Sequence, residues 1–188
     1  MDTNCDLLGF KFDAWEGGHR IPFIAHWPNK INAGEVSDQL ICNVDMLATF
    51  AALTEQELEQ GQGQDSKNIL GAITGETNKQ IRDEVLLAPK KTSHLAIRKG
   101  NWLYIGAQGG GGFASGKQGT HAFGGPAAIS FAENVNSDIE IGKIKADAPP
   151  AQLYNLETDL YETKNLYNLY PEKVKQMKAL LKSYQVEK

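Results

Sequence analysis

The hydrophobic pattern of the chain changes near residue 80, and this change restricts the folds that it can adopt. Before it, residues 21–27 form a short apolar run that ends at a proline, and its length predicts a buried strand. Residues 44–53 carry apolar side chains at helical spacing, and residues 54–68 are polar with spaced glycines, as in a surface connection. This part of the chain is expected to supply a strand and a helix of an α/β layer, with a subdomain boundary near residue 80.

The remainder has the short β-branched and aromatic runs of an antiparallel sheet. Such runs, predicted as strands, lie at residues 84–88, 94–98, 102–105 and 151–156. Lys99-Gly100-Asn101 indicates a hairpin turn, and Pro171 opens a predicted helix over residues 171–184. The glycine-rich residues 106–150 fit no regular element, and a connection of that length is usually functional or disordered. The expected fold class is α/β (α+β), with a small antiparallel sheet packed against a C-terminal helix.

Composition excludes several classes of protein. The 188 residues, 41% hydrophobic and 22% charged, suit a globular domain with a buried core. The net charge of -4 is spread without long runs of one sign, which argues against nucleic acid as a partner. No apolar stretch approaches the roughly 20 residues that span a bilayer, and no targeting signal is visible. Cys5 and Cys42 are too few for a disulfide framework or a zinc site.

Residues 9–22 hold the densest group of charged side chains and glycines. Gly17-Gly18 permits close backbone approaches that a side chain would forbid, and Glu16 and Arg20 could pair to brace a turn. Lys11 would then be free to meet an anion. From the residues alone, an ordinary surface loop with a structural ion pair and a solvated lysine is the commoner explanation.

Three segments carry recognisable motifs. Residues 9–24 read GFKFDAWEGGHRIPFI and are followed by Trp27-Pro28, which fits G-x-K-x-x-x-W-E-G-G-x-R-x-P-x-I and then W-P. Ser37-Asp38 and residues 43–50 fit s-D followed by a D-l-x-P-T helix, in which Ala48 replaces the usual proline. Residues 152–166, QLYNLETDLYETKNL, fit LYnL followed by D-p-x-E-x-x-N-L. In this order, over most of the chain, the motifs resemble the C-terminal portion of type I sulfatases, the arylsulfatase family of the alkaline phosphatase-like superfamily.

The resemblance implies a fold, a domain organisation and an activity. Residues 1–80 would be the C-terminal part of the sulfatase catalytic α/β core. Residues 81–188 would be the C-terminal subdomain, with antiparallel strands, the glycine-rich insertion 106–150 and the terminal helix 171–184. The implied activity is hydrolysis of sulfate esters, either of sulfated glycans or of aryl sulfates.

By motif position, Lys11 inherits the role of a catalytic lysine that contacts the sulfate of the substrate. A fixed ammonium there would stabilise the charge that develops on the leaving oxygen, so Lys11 would act electrostatically rather than as a base. Five neighbours are expected either to brace this segment or to lie behind the sulfate pocket: Glu16, Gly17, Gly18, His19 and Arg20.

The family's nucleophile and metal centre have no counterpart in this sequence. The nucleophile is a formylglycine made from the first residue of C/S-x-P/A-x-R, and neither Cys5 nor Cys42 is followed by that pattern. The acidic metal ligands of the family are absent as well. The resemblance therefore implies no metal or cofactor in this chain, and places calcium and formylglycine in an N-terminal part outside this sequence. The isolated chain is expected to be inactive.

Candidate substrate-binding residues are His94, Arg98 and the glycine-rich residues 106–113, because histidine, arginine and backbone amides suit an anionic sugar. His94 could equally have a structural role at the start of a strand, and Arg98 could belong to the hairpin. Residues 111–117 match G-x-x-x-x-G-K, but Gln118 stands where a nucleotide-binding loop needs Ser or Thr, and no helix can follow directly. Nucleotide binding is therefore rejected.

Two alternatives remain open: a noncatalytic carbohydrate-binding or assembly module, and a fragment of a related phosphodiesterase. The expected partners are a sulfated carbohydrate or aryl sulfate substrate and the N-terminal catalytic domain of the same protein, with no nucleic acid and no membrane span. Family resemblance implies a periplasmic or secreted protein, although no residue of this sequence shows it.

Overall fold

A computed structural model describes residues 6–186 of the chain. These residues form two compact units: Pro22–Val85 is one, and the other combines the segment that ends at Ile21 with the chain from Leu86 onward. The assignment of residues 1–80 to a catalytic core and of residues 81–188 to a C-terminal subdomain stays a prediction. Cys5 lies outside the described residues, and Cys42 is a free, half-buried thiol.

Short elements dominate the fold. The helices are α1 (Glu16–His19), α2 (Asp45–Leu53), α3 (Leu70–Ile73), α4 (Gly125–Phe131) and α5 (Pro171–Val186). The strands are β1 (Glu84–Leu87), β2 (Ala96–Lys99), β3 (Trp102–Ile105), β4 (Ile139–Glu140), β5 (Lys143–Ile144) and β6 (Gln152–Asn155), and a 3-10 turn covers Thr92–His94.

A four-stranded sheet has the order β1-β2-β3-β6; β2, β3 and β6 lie in the larger unit, and the boundary between the two units falls within β1, after Val85. Strands β2 and β3 are antiparallel with Lys99 opposite Trp102, and Gly100 closes their hairpin at φ +54°. Strand β6 returns antiparallel to β3, with Tyr154 opposite Leu103. A separate two-stranded ribbon, β4–β5, packs against α4.

Alternation along the strands creates a core on each face of this sheet, because successive side chains point to opposite faces. On one face, Leu103 and Ile105 are buried with Trp15. On the other, Tyr104 and Leu153 pack beneath the apolar stripe of α5, which buries Val174, Met177 and Leu181. The helix therefore covers one face of the sheet, while the residues around Trp15 cover the other.

The smaller unit is organised around the first residue of α2. The buried Asp45 carboxylate accepts the N–H of Cys42 at 2.8 Å and of Lys67 at 2.9 Å, and it pairs with Arg82. Thr49 accepts the N–H of Ile69 at 3.0 Å, which ties the segment before α3 to α2. An open apolar groove of about 320 Å³ lies in this unit, with Phe23, Trp27, Phe50 and Ile73 among its lining residues.

Much of the predicted secondary structure is confirmed. Helices α2 and α5 lie where helical spacing placed them, the β2–β3 hairpin turns at Lys99-Gly100-Asn101, and β6 lies within residues 151–156. The expected fold class is confirmed by the small antiparallel sheet packed against α5. Residues 54–68 form an exposed connection, as expected.

Three expectations need correction. Residues 21–27 form no strand, and Ile24 is 90% exposed, because none of the described residues pairs with this run and a strand exists only through such pairing. His94 lies in the 3-10 turn rather than in a strand. Residues 106–150 contain α4 and the β4–β5 ribbon, and α4 begins at Gly125 with Pro126 in its first turn.

Candidate functional site

A tight turn formed by residues 10–13, here called the Lys11 turn, presents Lys11 and Phe12 at the surface of the larger unit. The Asp13 N–H donates to the Phe10 carbonyl at 2.9 Å, and the Asp13 carboxylate accepts the Phe10 N–H at 2.8 Å. Asp13 is buried, while Lys11 and Phe12 are exposed. Phe12 has φ +77°, a left-handed conformation that is costly for a residue with a β-carbon. The turn therefore fixes where the Lys11 side chain begins.

Two distant segments are bonded to this turn. The Asp13 carboxylate accepts the Gly112 N–H at 2.9 Å, and the Ala14 N–H donates to the Gly110 carbonyl at 2.7 Å. The Lys90 N–H donates to the Phe12 carbonyl at 3.1 Å. The structure thus brings the predicted catalytic lysine next to the start of the glycine-rich segment.

The glycines of this segment are required by close approach. A β-carbon on Gly110 or Gly112 would lie 2.5 Å from the Asp13 Oδ1, and one on Gly111 would lie 2.5 Å from the His94 Cβ. Gly111 also has φ +78°. Residues 110–112 are therefore buried and packed against Asp13 and His94.

Four side chains on these segments form what we call the cation–aromatic patch: Lys11, Phe12, Lys90 and Phe113. The Lys11 Nζ lies 4.9 Å from the centre of the Phe12 ring, and the Lys90 Nζ lies 4.4 Å from that of Phe113. The two rings meet edge to face, with centres 5.1 Å apart and planes at 85°. Among residues 6–186, no carboxylate forms an ion pair with either lysine. The patch is therefore a cationic surface with an apolar middle.

His94 packs against Gly111, and both of its ring nitrogens are engaged. Nε2 lies 3.0 Å from the Gln108 carbonyl, and Nδ1 lies 2.9 Å from the Ser93 hydroxyl. Burial lowers the pKa of His94, the hydrogen bond to Gln108 opposes this, and the charge of Lys91 adds to the lowering. The neutral ring fits this arrangement, with Nε2 donating to the carbonyl and Nδ1 accepting from the hydroxyl. A substrate-binding role for His94 stays a prediction.

The bracing residues cluster around the buried carboxylate of Glu16. Its Oε2 lies 3.2 Å from Arg20 and 3.7 Å from Arg98, and its Oε1 lies 3.3 Å from the His19 Nε2. Burial acts to raise the pKa of Glu16, but His19 and the charges of Arg98 and Arg20 outweigh it and hold that pKa below its ordinary value. Arg98 also donates to the Gly100 carbonyl at 3.1 Å. The structure therefore groups Arg98 with the bracing residues rather than with the patch.

Gly17 and Gly18 lie in α1 where no β-carbon would fit. One on Gly17 would lie 2.5 Å from the Gly9 carbonyl oxygen, and one on Gly18 would lie 2.3 Å from that of Asp13. The Asp13 carbonyl belongs to the Lys11 turn, and the Gly9 carbonyl lies just before it in the chain. The two glycines therefore allow α1 to pack directly against this turn. This explains the glycine pair by geometry.

The C-terminal motif supports α1 from behind. The Glu16 N–H donates to the Glu162 carboxylate at 2.9 Å, and the Trp15 Nε1 donates to Gln152 at 2.9 Å. Glu162 is fully buried, and its second carboxylate oxygen has no hydrogen-bond partner among the described residues. Burial and the charges of Glu16, Asp159 and Asp13 raise the pKa of Glu162 well above its ordinary value, against the lowering effect of the Glu16 N–H. Hydrogen bonds thus join the first and third sequence motifs, which are far apart in sequence.

Sequence reasoning missed three residues of this region, Asp13, Lys90 and Glu162, and it named Phe113 only as the end of the glycine-rich candidate segment, with no role for its side chain. Glu162 lies inside the third motif, residues 152–166, so the sequence marked its position but did not indicate that its carboxyl group accepts the Glu16 N–H. Lys90 and Phe113 carry no local signal, because only the hydrogen bonds to the Lys11 turn bring them to it.

Within residues 6–186, no group of three or more His, Cys, Asp or Glu side chains is placed to hold a metal ion. In the same range, none of the helices has the length and apolar character needed to cross a membrane.

Comparison with known proteins gives consistent similarities. No family model matches the chain. The chain is 30% identical to the N-acetylgalactosamine-6-O-sulfatase of Bacteroides thetaiotaomicron over 175 residues, which cover 93% of this chain and 29% of that protein. It is 27% identical to the ulvan-active sulfatase of Formosa agariphila over 172 residues, or 83% of this chain and 30% of that protein.

A solved structure gives the same relationship. It comes from work on the metabolism of multiple glycosaminoglycans by Bacteroides thetaiotaomicron, and it matches 97% of this chain with a TM-score of 0.71 and 27% identity. The match covers 32% of that structure's own chain. The present chain therefore spans less than a third of the length of each of these three proteins.

Proposed function

This chain belongs to the sulfatase family and corresponds to the C-terminal portion of its relatives, and from that premise we propose that it forms part of a sulfuric ester hydrolase acting on a sulfated carbohydrate. Lys11 binds the sulfate group, and the surface around it faces the sugar. The observation that supports this most directly is the Lys11 turn, which holds an exposed ammonium without a carboxylate partner among the described residues.

The role of Lys11 follows from its placement. A sulfate ester gains negative charge on its leaving oxygen as the bond to sulfur breaks, and a positive charge already in position stabilises that change without reorganising. The Asp13 hydrogen bonds fix the backbone of the turn and so the point from which the Lys11 side chain extends, and its Nζ lies 4.9 Å from the centre of the Phe12 ring. Lys11 acts here as a fixed charge that binds and stabilises, not as a proton acceptor.

The bracing residues position this charge. Glu16 neutralises Arg20 and Arg98 next to α1, and Gly17 and Gly18 let α1 pack against the turn. Glu16, Gly17, Gly18, His19 and Arg20 need not touch the substrate for that purpose, and we assign these five as positioning residues. His94 and Arg98 remain proposed contacts to the sugar, although both side chains also bond within the fold.

We propose that calcium and formylglycine belong to the portion of the relatives' length that this chain does not span, and that the chain alone does not turn over sulfate esters. Residues 1–80 would complete that catalytic core, residues 81–188 would form the substrate-side subdomain, and the whole protein would act in the periplasm or outside the cell.

The test compares three proteins: this chain, the longer protein that includes the sequence preceding it in its gene, and the longer protein with Lys11→Ala. Sulfate release is measured with calcium from 4-nitrophenyl sulfate and from N-acetylgalactosamine 6-sulfate. We expect turnover by the longer protein, none by the chain alone, and a loss of about a hundredfold or more in kcat on losing Lys11. Lys178→Ala, which removes an exposed lysine of α5, is the matched control and should keep full activity.

Three results would contradict the proposal. A longer protein without the nucleophile motif and inert towards both sulfate esters would identify a noncatalytic carbohydrate-binding or assembly module. Cleavage of bis(4-nitrophenyl) phosphate in place of the sulfate esters would identify a phosphodiesterase. Full activity of the Lys11→Ala protein would remove Lys11 from the sulfate site.

A further inference from the structure

Lys90 is the second cation of the cation–aromatic patch and lies over the Phe113 ring. The proposed sulfate chemistry gives Lys90 no role. Its Nζ lies 4.4 Å from the centre of the Phe113 ring, as the Lys11 Nζ lies 4.9 Å from that of Phe12. Since the two rings touch at 5.1 Å, each half of one aromatic pair carries its own ammonium. Lys11 accounts for only one of them.

The charge of Lys90 is uncompensated within the described residues. Asp13 is the carboxylate bonded into this turn, but its two oxygens accept the N–H groups of Phe10 and Gly112. No salt bridge within residues 6–186 includes Lys11 or Lys90. Two positive charges held on one aromatic pair repel each other, and an anionic ligand beside each would remove that cost.

One aromatic residue of the patch, Phe12, has a backbone conformation that is costly for a residue with a β-carbon. Phe12 is 43% exposed and has a left-handed backbone, which costs on the order of 1 kcal/mol or more for a non-glycine residue. The Asp13 turn and the bond from the Lys90 N–H to the Phe12 carbonyl impose this conformation. The same bond fixes the backbone of Lys90 relative to Phe12. Costly backbone geometry is concentrated where ligands bind, and an exposed, fixed ring suits the apolar face of a sugar.

We propose that Lys90, with Phe12 and Phe113, forms a subsite for the sugar that adjoins the sulfated one, and that Lys90 binds an anionic group on that neighbouring sugar. The inference rests on the proposed function, because it takes Lys11 as the site of the sulfate that is removed. The ligand class is a sulfated oligosaccharide with a carboxylate or a second sulfate on the adjoining ring. Its apolar C–H face packs on the aromatic pair, and its two anionic groups meet the two ammoniums.

Binding measurements test this subsite on the longer protein produced without formylglycine, so that the probes bind but are not hydrolysed. Two probes are titrated by calorimetry: N-acetylgalactosamine 6-sulfate, and a disaccharide that joins the same sulfated sugar to a uronic acid. We expect the wild-type protein to bind the disaccharide more tightly. Lys90→Ala should weaken disaccharide binding about fivefold more than monosaccharide binding, and Lys90→Glu should weaken it further. Lys178→Ala is the control for loss of one exposed positive charge.

Each other result overturns the subsite. Equal affinity of the wild-type protein for the two probes would mean that no adjoining sugar is recognised. An equal loss for both probes in Lys90→Ala would mean that Lys90 contributes only general electrostatic attraction, and an unchanged preference for the disaccharide would mean that it makes no contact. Because calorimetry does not depend on turnover, a protein inactive on both sulfate esters would overturn the proposed function while the comparison of affinities still decides the subsite.

Discussion

The Asp13 carboxylate accepts the Gly112 N–H at 2.9 Å, across 99 residues of sequence. Its other oxygen accepts the Phe10 N–H, so one buried side chain closes the Lys11 turn and anchors the glycine-rich segment. Burial raises the pKa of Asp13 while these two N–H groups oppose the rise. The geometry of the candidate site therefore depends on a contact between distant segments rather than on the Lys11 motif alone.

Gly112→Ala should disrupt this anchor. The added β-carbon would lie 2.5 Å from the Asp13 Oδ1, so either the glycine-rich segment or the turn must move. We expect a destabilisation of about 2 kcal/mol or more, measured as a lower free energy of unfolding in urea. Gly116→Ala is the matched control, since its β-carbon would meet nothing closer than 3.9 Å. Equal stability of the two variants would show that the anchor yields at little cost.

Glu16→Gln should destabilise the larger unit by leaving Arg20 and Arg98 without a carboxylate. Removing one member of a fully buried ion pair costs roughly 3 to 5 kcal/mol; Arg20 is half exposed here, so we expect about 2 kcal/mol. The free energy of unfolding in urea measures the effect. Glu172→Gln, an exposed position at the start of α5, should change it by less than about 0.5 kcal/mol. A similar small change for Glu16→Gln would mean that the two arginines are satisfied elsewhere.

Asp45→Ala should loosen the smaller unit. The buried carboxylate accepts two backbone N–H groups, from Cys42 and Lys67, and contacts Arg82, so its removal leaves these partly buried donors without this acceptor. We expect a loss of about 3 kcal/mol, seen as faster amide hydrogen exchange throughout α2. Asp38→Ala, at an exposed site of the same unit, provides the comparison. Unchanged exchange in α2 would show that Asp45 does not hold this unit together.

Local patterns in the sequence predicted the elements that depend on local chemistry. The α2 and α5 periodicities, the Gly100 hairpin and the β6 run each specify their own structure, and they were found where expected. Residues 21–27 were misassigned because apolar composition cannot supply the neighbouring strand that a β-strand needs. Phe23 and Trp27 instead line an open apolar groove.

The candidate site likewise combines residues that the sequence predicted with residues that only the structure brings together. Lys11 and the Glu16–Arg20 segment are visible in sequence because a single contiguous motif contains them. Lys90 and the side chain of Phe113 are not, since Lys90 reaches the Lys11 turn through the bond from its N–H to the Phe12 carbonyl, and the Phe113 ring through its contact with Phe12. Spacing along the chain does not encode such bonds, so the second cation of the patch required the structure.

Glu162→Gln tests whether the carboxyl behind α1 is protonated in the folded protein. Burial raises the pKa of Glu162 well above its ordinary value of 4.5, whereas in the unfolded chain the group ionises near 4.5. Its contribution to stability is fully present below that pH and is lost as the pH rises through the folded-state pKa. Gln carries no titrating proton, and its oxygen can still accept the Glu16 N–H that Glu162 now accepts at 2.9 Å. The difference in Tm, variant minus wild type, should therefore grow in favour of Glu162→Gln between pH 4.5 and pH 7.5, while the exposed control Glu140→Gln shows no such trend. Parallel Tm curves for Glu162→Gln and the wild type would mean that Glu162 ionises in the folded protein as readily as in the unfolded chain.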